Sequence, residues 1–92
     1  MKYRSRTDIA AAILEIALEG AIKTKIMYKA FLSFPQLKDY LSVLHERGLL
    51  DYVEAEHEYR TTERGKDFLK MYKDVGQIIF PPNYSRKALQ KT

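Results

Sequence analysis

His45 and His57 are the residues from which acid–base or metal chemistry would start, and neither stands at motif spacing from a nucleophile or a second ligand. The chain has no cysteine, which excludes a disulfide framework, a thiol nucleophile and a thiolate zinc site. It has no Gly-rich phosphate loop either. Glu54, Glu56 and Glu58 alternate as on one face of a strand, a pattern of solvated carboxylates with no calcium-loop template around it. These patterns predict no catalytic site, no resident metal, no cofactor and no small-molecule ligand.

The chemistry the sequence does offer is cationic. Sixteen Lys and Arg face twelve Asp and Glu, a net charge of +4, and the charge is segregated. Residues 1–50 carry +3, residues 51–60 carry −3 and residues 61–92 carry +4. Basic side chains gather as Lys2, Arg4 and Arg6, as Lys23, Lys25 and Lys29, and as Arg86, Lys87 and Lys91. Such clusters can hold phosphates, and they can equally serve only to keep a small surface soluble.

The elements that must position these groups fit one small domain, because 92 residues leave no room for a second independent core. Ile9, Ala10, Ile13, Leu14, Ile16, Ala17 and Leu18 recur at helical spacing from Thr7 toward a stop at Gly20, and Ala10 to Ala12 let a second helix approach closely. Thr24 is placed to cap a short helix carrying Ile26, Met27, Ala30 and Phe31, ending near Leu32. Ser33 caps a third, with Pro35 in its first turn and Leu37, Tyr40, Leu41 and Leu44 as its apolar stripe up to Gly48. The tight turn near Leu32-Ser33 forces these two helices to cross at a large angle.

Leu49 to Val53 and Tyr59 to Thr61 read as two strands of a hairpin, and Thr62 caps a last helix bearing Phe68, Leu69, Tyr72, Val75 and Ile79 until Pro81-Pro82. The longest nearly apolar stretch, Ile9 to Leu14, is far short of the roughly 20 residues that span a bilayer. Met1-Lys2-Tyr3-Arg4 leads into no signal-type core, so a soluble, cytoplasmic, unprocessed protein is expected.

Five blocks resemble one family. They are Arg6-Thr7-Asp8-Ile9, Lys23-Thr24-Lys25-Ile26-Met27-Tyr28, Leu32-Ser33-Phe34-Pro35-Gln36-Leu37-Lys38-Asp39-Tyr40-Leu41, Arg47-Gly48-Leu49-Leu50, and Tyr59-Arg60-Thr61-Thr62-Glu63-Arg64-Gly65-Lys66-Asp67-Phe68-Leu69. In order and spacing they are similar to the small archaeal winged helix-turn-helix proteins, which include chromatin-associated dimers of hyperthermophilic archaea. The resemblance spans roughly residues 6–75. It implies an α+β, mainly helical fold of three helices and a two-stranded wing, with a C-terminal dimerisation helix of coiled-coil type. The chain departs from the longest members where Pro81-Pro82 breaks that helix.

On this pattern residues 1–62 form the DNA-binding domain with its N-terminal arm, 63–80 the dimerisation helix packed on it, and 81–92 a basic flexible tail. The implied function is double-stranded DNA binding by a homodimer, in transcriptional regulation or in the nucleoid. If the third helix enters a major groove, its outward face nominates Ser33, Pro35, Gln36, Lys38 and Ser42, with Gln36 and Lys38 as the principal base readers. Asp39 is better explained as an exposed helix carboxylate.

Lys23, Thr24, Lys25, Tyr28 and Lys29 stand where the second helix could meet phosphates, and Arg4 and Arg6 could add an arm. Tyr28 is open to a second reading, as cover over a core edge. The acidic wing argues against deep insertion and leaves Arg60 and Arg64 as phosphate contacts from that side. Phe68, Leu69, Tyr72, Val75 and Ile79 are the candidate dimer seam, although Phe68 and Leu69 could instead close the monomer core. The competing function is a winged-helix protein-interaction module of a transcription or replication complex, which the acidic hairpin favours.

Overall fold

The structure, a computed structural model, describes residues 4–79. Its first helix, α1 (Arg6–Ile16), starts one residue before Thr7 because Ser5 caps it. The Ser5 hydroxyl accepts from Asp8 N at 3.0 Å while Asp8 Oδ2 accepts from Ser5 N at 3.1 Å, a reciprocal capping box. The helix also ends earlier than its apolar pattern suggests, at Ile16, and Ala17 to Glu19 turn the chain toward Gly20.

Helix α2 (Lys23–Ala30) follows, with Ile22 rather than Thr24 at its N-cap position and no side-chain cap at all. Thr24 lies inside the first turn, where its own helical backbone bars it from capping. At the other end Phe31 closes the helix in the left-handed conformation, φ 56° and ψ 52°. For a residue with a Cβ this costs about 1–2 kcal/mol, which is why glycine is usual there.

Ser33 then caps α3 (Phe34–Glu46), as expected, with Pro35 in the first turn. Strand β1 (Leu50–Val53), a single 3-10 turn (Glu54–Glu56) and β2 (Glu58–Thr61) form the antiparallel wing, in which Tyr52 faces Tyr59. His57 takes the left-handed turn position at φ 54°. A further pairing went unread in the sequence: Ala21 and Tyr59 exchange two backbone hydrogen bonds of 2.9 and 2.8 Å, giving the hairpin a one-residue third strand.

Helix α4 (Glu63–Ile79) completes the described chain. Thr62 is its cap, accepting from Gly65 N at 3.0 Å while donating to the Gly48 carbonyl at 2.7 Å, so the start of α4 is tied to the turn that ends α3. Helix α1 lies against α2, α4 and β2, while α3 carries β1. Ile13, Leu14, Ile26, Leu37 and Leu50 are fully buried at the centre. Each contributes about 1.5–3 kcal/mol relative to exposure. Among the described residues Thr61 is the buried polar side chain, and its hydroxyl donates to the Leu14 carbonyl at 2.7 Å. This core fixes the relative placement of α2, α3 and the wing.

Candidate nucleic-acid interface

Helix α3 turns Leu37, Leu41 and Leu44 inward and leaves Pro35, Gln36, Lys38, Asp39 and Ser42 exposed. The helical repeat also lines up Phe34, Lys38, Ser42 and His45 along one flank. Between that flank, Lys23 of α2 and the wing tyrosines Tyr52 and Tyr59 lies an open groove of about 480 Å³. Lys23 Nζ stands 5.5 Å from the centre of the Phe34 ring, a cation–π contact on a half-exposed aromatic. Two ammonium groups from different helices thus border one concave surface, alongside a hydroxyl and an imidazole.

The aromatic side of the groove is built from two rings in contact. Tyr52 and Tyr59 pack with ring centroids 4.9 Å apart, and the Tyr52 hydroxyl is 3.2 Å from His57 Nδ1. Burial, and then the neighbouring Tyr52, push the Tyr59 phenol above its ordinary value, which keeps it neutral. Phe34, His45, Tyr52 and Tyr59 were not among the residues nominated from sequence. The spacing of Phe34, Lys38, Ser42 and His45 could have revealed the helical half of the site. The tyrosines join it only through the fold.

Gln36 is less available than expected. Its Oε1 accepts from Ser33 N at 3.0 Å, and its own N–H donates to the Ser33 hydroxyl at 3.3 Å. The bidentate pairing of an amide with adenine needs both the oxygen and the NH2 group. With the oxygen held toward the Ser33 N–H by the capping box, the NH2 group is the freer end of Gln36, and Ser33 is likewise occupied as a cap. Lys38, Pro35 and Ser42 carry the outward face.

The other nominated residues divide among separate surfaces. Thr24, Lys25, Tyr28 and Lys29 are all exposed on α2, and Tyr28 at 73% exposure covers no core edge. Arg4 donates to the Phe31 carbonyl at 3.4 Å, holding the N-terminal segment against the end of α2. Arg6 borders a different hollow, with Thr7, Asp39 and Val43, across α3 from the groove. Arg60 is turned onto the wing's own acids, 3.6 Å from both Glu56 and Glu58, so its charge is compensated there. Arg64 is exposed, with its stem alongside Gly48.

The seam residues of α4 also separate. Leu69 is 6% exposed and belongs to the core, so burial removes it from any seam. Phe68 and Tyr72 are half-buried against that core, whereas Val75 and Ile79 are exposed together with Met71 and Ile78. Pro81-Pro82 and the basic tail, with Arg86, Lys87 and Lys91, lie outside the described residues, as does Lys2.

Winged helix-turn-helix is the family description that matches this sequence, over residues 3–79. The chain belongs to that family. Among solved structures its fold is similar to that of Sso10a-2, described as a DNA-binding protein from Sulfolobus solfataricus. The TM-score is 0.75 at 20% identity, over 96% of this chain and 95% of that one. At this identity the likeness is one of fold. No curated protein matches the sequence. Within this winged helix, no group of three or more His, Cys, Asp or Glu side chains able to hold a metal occurs among the described residues. No described helix is long and apolar enough to cross a membrane.

Proposed function

We propose that this winged-helix protein binds double-stranded DNA through the exposed face of α3 and the start of α2. The observation that carries the reading is the convergence of Lys23 and Lys38 on one groove beside the outward face of a capped helix. Lys38, Pro35 and Ser42 approach base edges, and Lys23, Lys25 and Lys29 meet phosphates. The wing contributes little charge, since Arg60 is paired internally. The fold shared with Sso10a-2, itself described as DNA-binding, supports the same reading.

Val75, Ile79, Met71 and Ile78 form the outward apolar surface of α4. In our reading they join two copies, so that two α3 helices address paired half-sites, as a transcriptional regulator or a nucleoid component.

Fluorescence anisotropy of a labelled mixed-sequence duplex, titrated at low and near-physiological salt, tests the DNA reading. Affinity should fall steeply with salt as counterions are released. No binding at low salt would instead favour a protein-interaction module. The observation on that side is the wing, where Glu54, Glu56 and Glu58 outnumber the single Arg60.

A further inference from the structure

The outer face of α2 holds a second arrangement that the duplex-reading groove does not use. Tyr28 and Phe31 are 73% and 83% exposed, and the Phe31 N–H bonds to the Tyr28 carbonyl at 3.3 Å. Large aromatic rings normally bury most of their area, and these two bury little. Phe31 moreover occupies a left-handed backbone position where glycine would fit without strain. The capping hydrogen bonds at this turn are made by backbone groups and would form equally with glycine, and the Phe31 ring gains little burial in return for its strain.

The charge along α2 itself is of one sign. From Gly20 to Lys38 the sequence contains four lysines and no acidic residue. Lys25 is three positions from Tyr28, which makes them neighbours on the helix surface, and Lys29 follows directly. Arg4 reaches the same end of the helix through the Phe31 carbonyl. Among the described residues none of Arg4, Lys23, Lys25, Lys29 or Lys38 enters an ion pair.

Exposed aromatic faces flanked by cations that enter no ion pair are complementary to unstacked bases joined by phosphates. A fully paired duplex hides its base faces, so rings on a helix surface gain little from it. We infer that Tyr28 and Phe31, with Lys25, Lys29 and Arg4, form a stacking surface for unpaired bases of single-stranded DNA. The aromatic rings take the base faces, and the cations take the phosphates on either side. This surface shares Lys25 and Lys29 with the duplex reading as phosphate contacts, and the rings of Tyr28 and Phe31, which the duplex reading does not use, are what set it apart.

The test compares three labelled probes bound by the full chain: a mixed-sequence 12-nucleotide strand, the same strand with abasic sites, and a duplex of equal length. The intact strand should bind at least about fivefold more tightly than the abasic one, the range expected for stacking of one base. Phe31→Gly and Tyr28→Ala should abolish that preference, and Phe31→Gly should melt at the same or a higher temperature than the parent. Lys38→Ala should weaken the duplex and leave the intact-to-abasic ratio unchanged. Equal binding of intact and abasic strands by the parent would overturn the inference. So would a Phe31→Gly variant that loses duplex and single-strand affinity in equal measure, which would assign the ring to the duplex face. A change in mass by light scattering in the ring variants, with the preference retained, would assign the patch to a contact between copies and overturn it as well.

Discussion

The Tyr72 hydroxyl on α4 donates to the carboxylate of Asp8 in the first turn of α1, 64 residues away. Asp8 divides its two oxygens between this phenol and the Ser5 N–H of the capping box. The middle of α4 is thereby tied to the start of the helix around which the winged-helix core is built.

This contact makes stability depend on pH at both extremes. The Tyr72 bond, then those from Ser5, hold the Asp8 carboxyl below its ordinary value of 3.8, while the bond to Asp8 raises the Tyr72 phenol above its ordinary 10.0. A depressed carboxyl stabilises the fold above its unfolded-state value and loses that effect as pH falls through the folded-state value. A raised phenol stabilises below its unfolded-state value and loses the effect as pH rises through the folded-state one. Tyr72→Phe should therefore melt below the parent at neutral pH, with the gap closing below pH 3.8 and above pH 10.0. A gap independent of pH in thermal scans would assign the loss to packing alone.

Two glycines on α4 should respond in opposite directions. A Cβ on Gly65 would run into the Leu49 carbonyl oxygen and Thr61 Cγ2, which sit where the helix crosses the strand junction. Gly65→Ala should destabilise by about 1–3 kcal/mol or more, because backbone has to move. Gly76 has nothing within 4 Å of such a Cβ, so Gly76→Ala should stabilise by up to about 1 kcal/mol. Urea denaturation of the two variants measures both effects.

The α3 capping box predicts a stability role for residues that the sequence marks for DNA. Ser33→Ala should cost about 1 kcal/mol, and Gln36→Ala a smaller amount, in denaturant unfolding without DNA. On DNA, Gln36→Ala should shift preference among duplexes only weakly. A large change in sequence preference with unchanged stability would show that Gln36 leaves the capping box to read bases.

Charge removal should separate the groove from the wing. Lys23→Ala and Lys38→Ala should each lower duplex affinity and reduce the salt slope by about one. Arg60→Ala, which removes the cation that pairs with Glu56 and Glu58 among the described residues, should leave duplex affinity within about twofold. A loss for Arg60→Ala matching that for Lys38→Ala would bring the wing into the interface.

For the α4 surface, Ile79→Asp should convert a dimer into monomers, read as a halved mass by light scattering. Leu69→Ala should instead destabilise the monomer by about 2–5 kcal/mol, since its side chain is inside the core. A parent that is monomeric at micromolar concentration would remove the dimer reading.

The elements of this winged helix were legible in the sequence because the signals for them are local. Ser33, Pro35 and Gly48 mark the ends of α3, Thr62 caps α4, and apolar spacing fixes the inward faces of α1 and α3. The family blocks then set the order of the elements and the winged-helix class. Tertiary structure decided what depends on partners distant in the chain. It paired Ala21 with Tyr59, drew Leu69 into the core, turned Arg60 onto the wing acids and joined Tyr52 and Tyr59 to the flank of α3. It also left Tyr28 and Phe31 in solvent. Helical periodicity records which face of a segment is apolar, but whether a particular ring is covered depends on what the rest of the chain brings against it.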